Sequence, residues 1–366
     1  MKKIKNADKG ILLFKIGAIL FAYTTLVLLL CIFSRSFAES YCRTVSAFLR
    51  FLLSTVTGVF PFSLAEVLLF LLPVTWLVYE IALIIKKRFR FKRFLMRIGL
   101  FIFAAYFLFI NIFGVCYVRR PLEENMGFEV EEITGSELAR AALYIKGELE
   151  KTADKVDFAE GGASTNPHEW KAINEKLDYG FERLEKKYKF LSAINADAKR
   201  IVLSPYMTYT HISGVFIPFT AEANVNTNYP EYVVAFSTAH EKAHQRGIAG
   251  EDEANFVAFL ACLSSQDDYL RYVAYLSMYD YYLEEIYLSD SEMYFDLLNG
   301  TDRRILGEMY AYSVFFDKYR DSTASKVADT VNDTYIKTMG DSEGTRSYGR
   351  VVKLCTSYLM HQKNFN

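Results

Sequence analysis

Two of the five histidines stand four residues apart, with a glutamate directly after the first, in the run HEKAHQRGIAGEDEANF at 240–256. On a helix, residues i and i+4 share one face, so His240 and His244 can offer two imidazole nitrogens to a single zinc ion at about 2 Å each. Glu241 would sit on the flank of that face. There it could take a proton from a metal-bound water without coordinating the metal itself. A third ligand falls within EDEAN. Glu251 and Asn255 are four apart, so on a second helix Asn255 lies one turn from Glu251 and can hold a ligand histidine through its far nitrogen. Glu253 is the alternative ligand, but position 257 is valine and gives it no such companion. Gly247 marks where the chain could turn sharply to bring the third ligand back. The donor set implies one Zn2+ ion, with other divalent ions also compatible. The plainer alternative is a pair of surface histidines bridged to nearby acids, which needs neither a pocket nor an edge strand. Of the other histidines, His168 and His361 read as surface residues and His211 as a turn residue.

The elements that must position these groups are mainly helical. The small and apolar YVVAFSTA before His240 suits a helix entering a core, over about 231–247. Earlier helices are expected over 136–153 and 167–190, the second announced by Asn166 as cap and Pro167 at the first helical position. RIVLS (200–204) and GVFIPF (214–219) have the β-branched and aromatic character of short strands. The second strand could edge a cleft in which a substrate peptide pairs by β-augmentation. Gly214, Val215 and Phe216 would line it, and Glu222, Asn224 and Asn226 are either substrate contacts or turn and cap residues. Tyr348, in SYG, could donate a hydrogen bond to a tetrahedral oxyanion, or be one more of the many tyrosines of this region. The tyrosine-rich 267–288 carries too many acids to span a bilayer, and its aromatic stripe reads as core packing.

Everything before Pro121 has a different composition. The whole chain is 52% hydrophobic and 16% aromatic, and that excess lies largely in the first third. Three apolar runs, about 11–33, 64–85 and 95–118, are long enough to cross roughly 30 Å of hydrocarbon as helices. A cleaved signal peptide would explain only the first. The intervening segment, about 38–58, carries charges and reads as an amphipathic helix at the interface. The basic N-terminus, MKKIKNADK, and the basic loop KKRFRFKR at 86–93 should both be cytoplasmic, which sends everything after Arg119 to the outer side. A basic run between two apolar spans is topogenic and not a nucleic-acid patch, and the net charge of −1 adds no argument for nucleic acid. Three spans are few for a channel. Cys31, Cys42, Cys116, Cys262 and Cys355 form no CxxC pair, an odd and scattered set that suits thiols packed as small apolar groups.

Around 240–256 the chain resembles zinc metallopeptidases of the gluzincin type, in which HExxH is followed on a second helix by a glutamate ligand. Gly250 stands where a metzincin would place its third histidine, which argues against that class. The whole chain resembles a bacterial membrane-protein family catalogued as domain of unknown function 3810. The resemblance rests on the three spans, PFS at 61–63, GVFIPFTAEANVN at 214–226, HEKAHQRG, EDEANF, and SYG at 347–349. It implies a zincin-like outer domain and names no substrate. The expectation is therefore a mainly α protein with a membrane domain over 1–120, followed by a zincin-like α+β extracytoplasmic domain with a small sheet over 121–366. It would be a multi-pass protein of the bacterial plasma membrane, acting on a peptide or protein. The alternative is a zincin-fold sensor or envelope-binding protein without turnover.

Overall fold

A computed structural model describes residues 2–320, 322–338 and 348–362. By internal contacts the chain divides into two compact units, Met1–Arg120 with Ile217–Glu222, and Pro121–Phe216 with Ala223–Asn366.

The first unit holds α1 (Lys2–Phe33), α2 (Arg35–Tyr41), a π turn (Cys42–Ser46), α3 (Ala47–Gly58), α4 (Leu64–Ile85), α5 (Phe91–Ile112) and a 3-10 turn (Gly114–Val118). Three stretches, Gly10–Phe33, Leu64–Ile85 and Phe91–Ile112, are long and apolar enough to cross a membrane. Their outward side chains include Leu69, Val78 and Ile85, each more than half exposed. Such surfaces are costly in water and at home in hydrocarbon. The third span starts earlier than the sequence suggested, and it stops at Ile112 because Phe113 leaves helical backbone (φ −139°). The 38–58 segment is helical as expected, but its charges do not all face outward. Arg50 is fully buried and donates to the carbonyls of Ile112 (2.7 Å) and Cys42 (3.4 Å). In the α4–α5 hairpin, Arg97 grips both oxygens of Glu80, at 2.8 and 2.7 Å.

Residues 217–222 join this unit through three specific bonds. Thr57 Oγ1 donates to the Thr220 carbonyl (3.0 Å), and the buried Glu222 carboxylate accepts from the backbone N–H groups of Leu64 (3.1 Å) and Ala65 (2.7 Å). Ser63 accepts from Glu66 N–H (3.0 Å). The first N–H groups of α4, which have no partner inside the helix, are thus capped twice, with a negative charge at the positive end of the helix dipole.

The second unit comprises α6 (Leu122–Met126), α7 (Gly135–Ala153), α8 (Trp170–Lys187), β1 (Lys199–Arg200), α9 (Ser204–Met207), β2 (Gly214–Ile217), β3 (Glu222–Val225), α10 (Glu231–Gln245), α11 (Glu251–Ser264), α12 (Asp268–Ser289), α13 (Ser291–Asn299), α14 (Arg303–Asp317), α15 (Thr323–Thr338) and α16 (Tyr348–His361). The strands lie in the order β1-β3-β2, with β1 parallel to β3 in the register Lys199↔Asn224, so β2 is an edge. Most of RIVLS is not strand, because Ser204 and Pro205 open α9. The helix expected from 167 begins at Trp170, since Asn166 Oδ1 instead accepts from His168 N–H (2.9 Å) and holds a turn there. The tyrosines of α12 are core, as expected. Tyr272, Tyr279 and Tyr282 are fully buried, and their hydroxyls bond to Glu308 (3.0 Å), Thr301 (2.8 Å) and Thr356 (2.7 Å). All five cysteines are free and buried.

Asp280, also on α12, is out of balance with its surroundings. Burial, and then the charges of Glu308 and Glu284, push its carboxyl up to about 7. The folded chain therefore binds this proton more tightly than the unfolded chain, whose carboxyl titrates near about 4. Stability falls as pH rises from there to about 7. Asp280→Asn should make the full-length protein more stable than wild type at pH 8, by on the order of 2 kcal/mol, with the gap closing by pH 4 to 5. Thermal unfolding at the two pH values reads this directly. A variant less stable than wild type at pH 8 would show that the carboxylate is ionised and well partnered.

Candidate metal centre

Helix α10 carries the motif and buries nearly all of its circumference, with a different partner on each side. At about 100° per residue, His240 and His244 share one face, Glu241 flanks it, Ala239 and Ala243 face the apolar core, and Lys242 and Arg246 point the opposite way. The helix ends in a tight terminator. Gly247 adopts the left-handed backbone (φ +91°), its N–H bonds to the His244 carbonyl (2.9 Å), and Ile248 N–H bonds to the Ala243 carbonyl (3.2 Å). This double closure is the Schellman arrangement, and glycine enters it without steric penalty. The turn returns the chain at once, so that α11 starts at Glu251.

The turn brings three donor atoms together. Glu251 Oε2 lies 3.2 Å from His240 Nε2 and 3.6 Å from His244 Nε2. The far nitrogens are both fixed, His240 Nδ1 against Asn255 Oδ1 (2.7 Å) and His244 Nδ1 against the Ile248 carbonyl (2.7 Å). An acceptor at each Nδ1 requires a proton there, which leaves Nε2 to face the shared point. Two ligands at about 2.1 Å from a tetrahedral zinc are about 3.4 Å apart, so the observed spacings fit such an ion, and three protein donors leave one position open. The electrostatics agree. Burial alone would lower the His244 imidazole, but the Glu251 carboxylate outweighs it and carries it up to about 9. Burial likewise opposes ionisation of Glu251, yet the two imidazoles hold it well below the usual carboxylate range. The two shifts are the two sides of one attraction between the imidazoles and the Glu251 carboxylate.

Glu241 stands beside this point without joining it. It is 4% exposed, burial pushes its carboxyl up to about 7 against the pull of the two imidazoles, and it accepts a hydrogen bond from Phe216 N–H. Its Oε2 has no hydrogen-bond partner among the described residues. A buried oxygen left unpaired is costly unless a ligand or water meets it. Strand β2 packs so closely here that a Cβ on Gly214 would lie 2.6 Å from Glu241 Oε1. Glycine at 214 is thus needed for close approach to the glutamate.

The remaining candidates are placed elsewhere. Glu253 turns away from the histidines and accepts from Leu122 N–H (2.9 Å). Glu222, Asn224 and Asn226 are all buried. Glu222 caps α4, the Asn224 side-chain amide donates to Val215 O (3.4 Å), and Asn226 bonds to Thr208, the Ile212 carbonyl (3.0 Å) and Asn228 N–H (3.1 Å). Glu222 and Asn224 belong to strand β3 and Asn226 follows it, and all three side chains are engaged inside the protein. Tyr348 opens α16, but its side chain lies outside the described residues. His211 sits in a left-handed turn (φ +60°) with Nε2 2.9 Å from the Tyr319 carbonyl, and His168 Nε2 pairs with Asp267 (2.8 Å).

Two residues inside the motif have a role that the sequence reading missed. Lys242 and Arg246 are both almost fully buried. One oxygen of Asp178, on α8, accepts from Lys242 Nζ (3.0 Å) and from Arg246 Nη2 (3.1 Å). Lys242 also donates to Asn174 and the Ala196 carbonyl (both 3.1 Å), and Arg246 to Glu185 (2.9 Å) and the Ile194 carbonyl, with its guanidinium 4.1 Å from the Phe181 ring centroid. Their spacing of four, the same as that of the histidines, was the available signal.

Fold and site together define a membrane protein with apolar N-terminal helices and a mainly helical unit that presents a clustered His-His-Glu donor set. A family model described as a protein of unknown function (DUF3810) matches residues 41–356, and the chain belongs to that family. No curated protein and no solved structure matches it.

The brace on α10 is open to test. Asp178→Ala removes the carboxylate shared by two buried cations and should cost about 3–5 kcal/mol in an unfolding titration of the full chain. Lys171→Ala breaks an exposed pair with Glu175 (3.7 Å) and should change stability by less than about 1 kcal/mol. Equal effects would mean that the buried network does not fasten the helix.

Proposed function

We propose that this protein is a membrane-anchored, zinc-dependent metallopeptidase whose 121–366 portion lies on the extracytoplasmic side of a bacterial plasma membrane. The observation that carries this reading is the convergence of His240 Nε2, His244 Nε2 and Glu251 Oε2 beside an unpartnered, buried oxygen of Glu241. A purely structural metal site, or a surface salt bridge, has no use for that glutamate.

His240, His244 and Glu251 would hold the ion, with Asn255 and the Ile248 carbonyl fixing the imidazole rings. Zinc at this point supplies a Lewis acid and lowers the pKa of water toward about 7. Glu241 accepts the water's proton at Oε2 and returns it to the leaving amine, so its task is proton transfer at one defined atom. Its raised affinity for a proton suits a group that must both take and release one near neutral pH. Strand β2 is an edge of the sheet and runs beside Glu241, which offers an extended peptide a main-chain surface next to that glutamate. The outward orientation follows from the basic 86–93 loop between the second and third spans.

Full-length protein should contain about one zinc per chain, and His244→Ala should lose it. Glu241→Gln should keep the zinc while hydrolysis of a peptide library falls by about 10²–10⁴. Gly214→Ala should also keep the zinc and lower turnover, because its Cβ displaces the glutamate. Wild-type turnover in Glu241→Gln would exclude the general-base role. Zinc binding without cleavage in the wild type would instead favour a non-catalytic sensor.

A further inference from the structure

Two elements of the metal centre are tied, by short lengths of chain, to the ends of the apolar stretches. The first is β2. Gly214 and Phe216 lie against Glu241, and at Ile217 the strand runs on into the turn that belongs to the first unit. From Gly214 to Ile217 the strand covers about 10 Å. Thr220 N–H then bonds back to the Ile217 carbonyl (3.2 Å), a turn that spans less than about 7 Å. The Thr220 carbonyl accepts from Thr57, and Glu222 caps Leu64 and Ala65, where the second apolar stretch begins. Covalent length alone therefore keeps Gly214 within about 17 Å of Thr220, on the turn fastened at the head of that stretch.

The second element is α11. Glu253, on the same first turn as Glu251, accepts from Leu122 N–H (2.9 Å). Between Leu122 and Ile112, where the third apolar stretch ends, there is little more than the 3-10 turn Gly114–Val118. On the proposed orientation the head of α4 and the tail of α5 both meet the outer face of the membrane. Val56, Val59 and Phe62 ahead of α4, and Phe219 on the turn itself, are exposed, as suits side chains that rest among lipid headgroups.

We propose that the substrate is the extended juxtamembrane segment of another membrane-anchored protein, cut on the outer side within about five residues of its span, because about 17 Å is the length of about five extended residues. This rests on the peptidase reading and orientation above. Water adds across the peptide bond: the C–N bond breaks, the acyl carbon takes the hydroxyl and the new amine takes the proton. Anchoring supplies what backbone pairing lacks. A sheet edge reads little of a side chain, whereas a substrate confined to the same bilayer meets β2 at a raised effective concentration.

The test uses full-length, zinc-loaded protein in vesicles of phosphatidylethanolamine and phosphatidylglycerol, with Glu241→Gln as the control for contaminating proteases. Two probes carry the same unstructured linker. One joins it to a single apolar span in the same vesicles, and the other is the free linker peptide at equal concentration. Mass spectrometry should find cuts in the anchored probe within about five residues of the span, with the free linker cut at least about tenfold more slowly. Inserting Gly-Ser-Gly between span and linker should move the cut along the sequence by the length of the insert. Cuts spread along the linker, cuts that stay with the original sequence after the insertion, or equal rates on the two probes overturn the proposal and leave the peptidase reading intact. No cleavage of either probe or of a peptide library by zinc-bearing wild type overturns that reading, and this inference with it.

Discussion

The site depends on one carboxylate that does no chemistry. Asp178 receives both Lys242 and Arg246 on the side of α10 opposite the histidines. A buried ion pair seldom gives more net stability than apolar packing of the same volume, because desolvating the charges cancels much of their attraction. What it does supply is specificity of register. A helix with alanines toward its core could slide or rotate by a residue at small cost. A helix that must deliver two cations, four residues apart, to one buried oxygen cannot. Since both pairs repeat at the same interval, fixing Lys242 and Arg246 also fixes His240 and His244.

Register along α10 is half of the requirement, and the return of the chain is the other half. Gly247 ends the helix in a closure whose Ile248 N–H and carbonyl both act, the first on Ala243 and the second on His244 Nδ1. The same few residues therefore terminate the helix, orient a ligand ring and start α11 with Glu251 toward the histidines. Charge completes the arrangement. The Glu251 carboxylate and the His244 imidazole hold each other by opposite charge across that point.

Local features were legible in the sequence, and non-local ones were not. HEKAH, Gly247, Glu251 and Asn255 meet through helical periodicity and a short turn, so spacing alone placed them. The three apolar stretches were equally plain, because length and composition decide them. The buried role of Lys242 and Arg246 was hidden because Asp178 and Glu185 lie far upstream, and an unpartnered reading sends any Lys or Arg to the surface. Strand β3 was hidden because EANV is short, and its pairing with Lys199–Arg200 is remote. Asn166 was given a helix cap when it in fact holds a turn, two uses of one side chain that sequence cannot separate.

The run GVFIPFTAEANVN divides into parts with separate duties, and this limits how a substrate could be recognised. Gly214 and Phe216 press against Glu241, Glu222 spends its charge on the first N–H groups of α4, and Asn226 is consumed within its own turn. The polar side chains that looked suited to grip a substrate are thus internal. On the proposed reading, what remains at the cleft is the backbone of the edge strand β2 beside Glu241. A backbone edge recognises the N–H and C=O groups that every extended peptide carries, and it distinguishes little among side chains. Selectivity would then come from which extended segments can reach this strand, a matter of access more than of pocket chemistry.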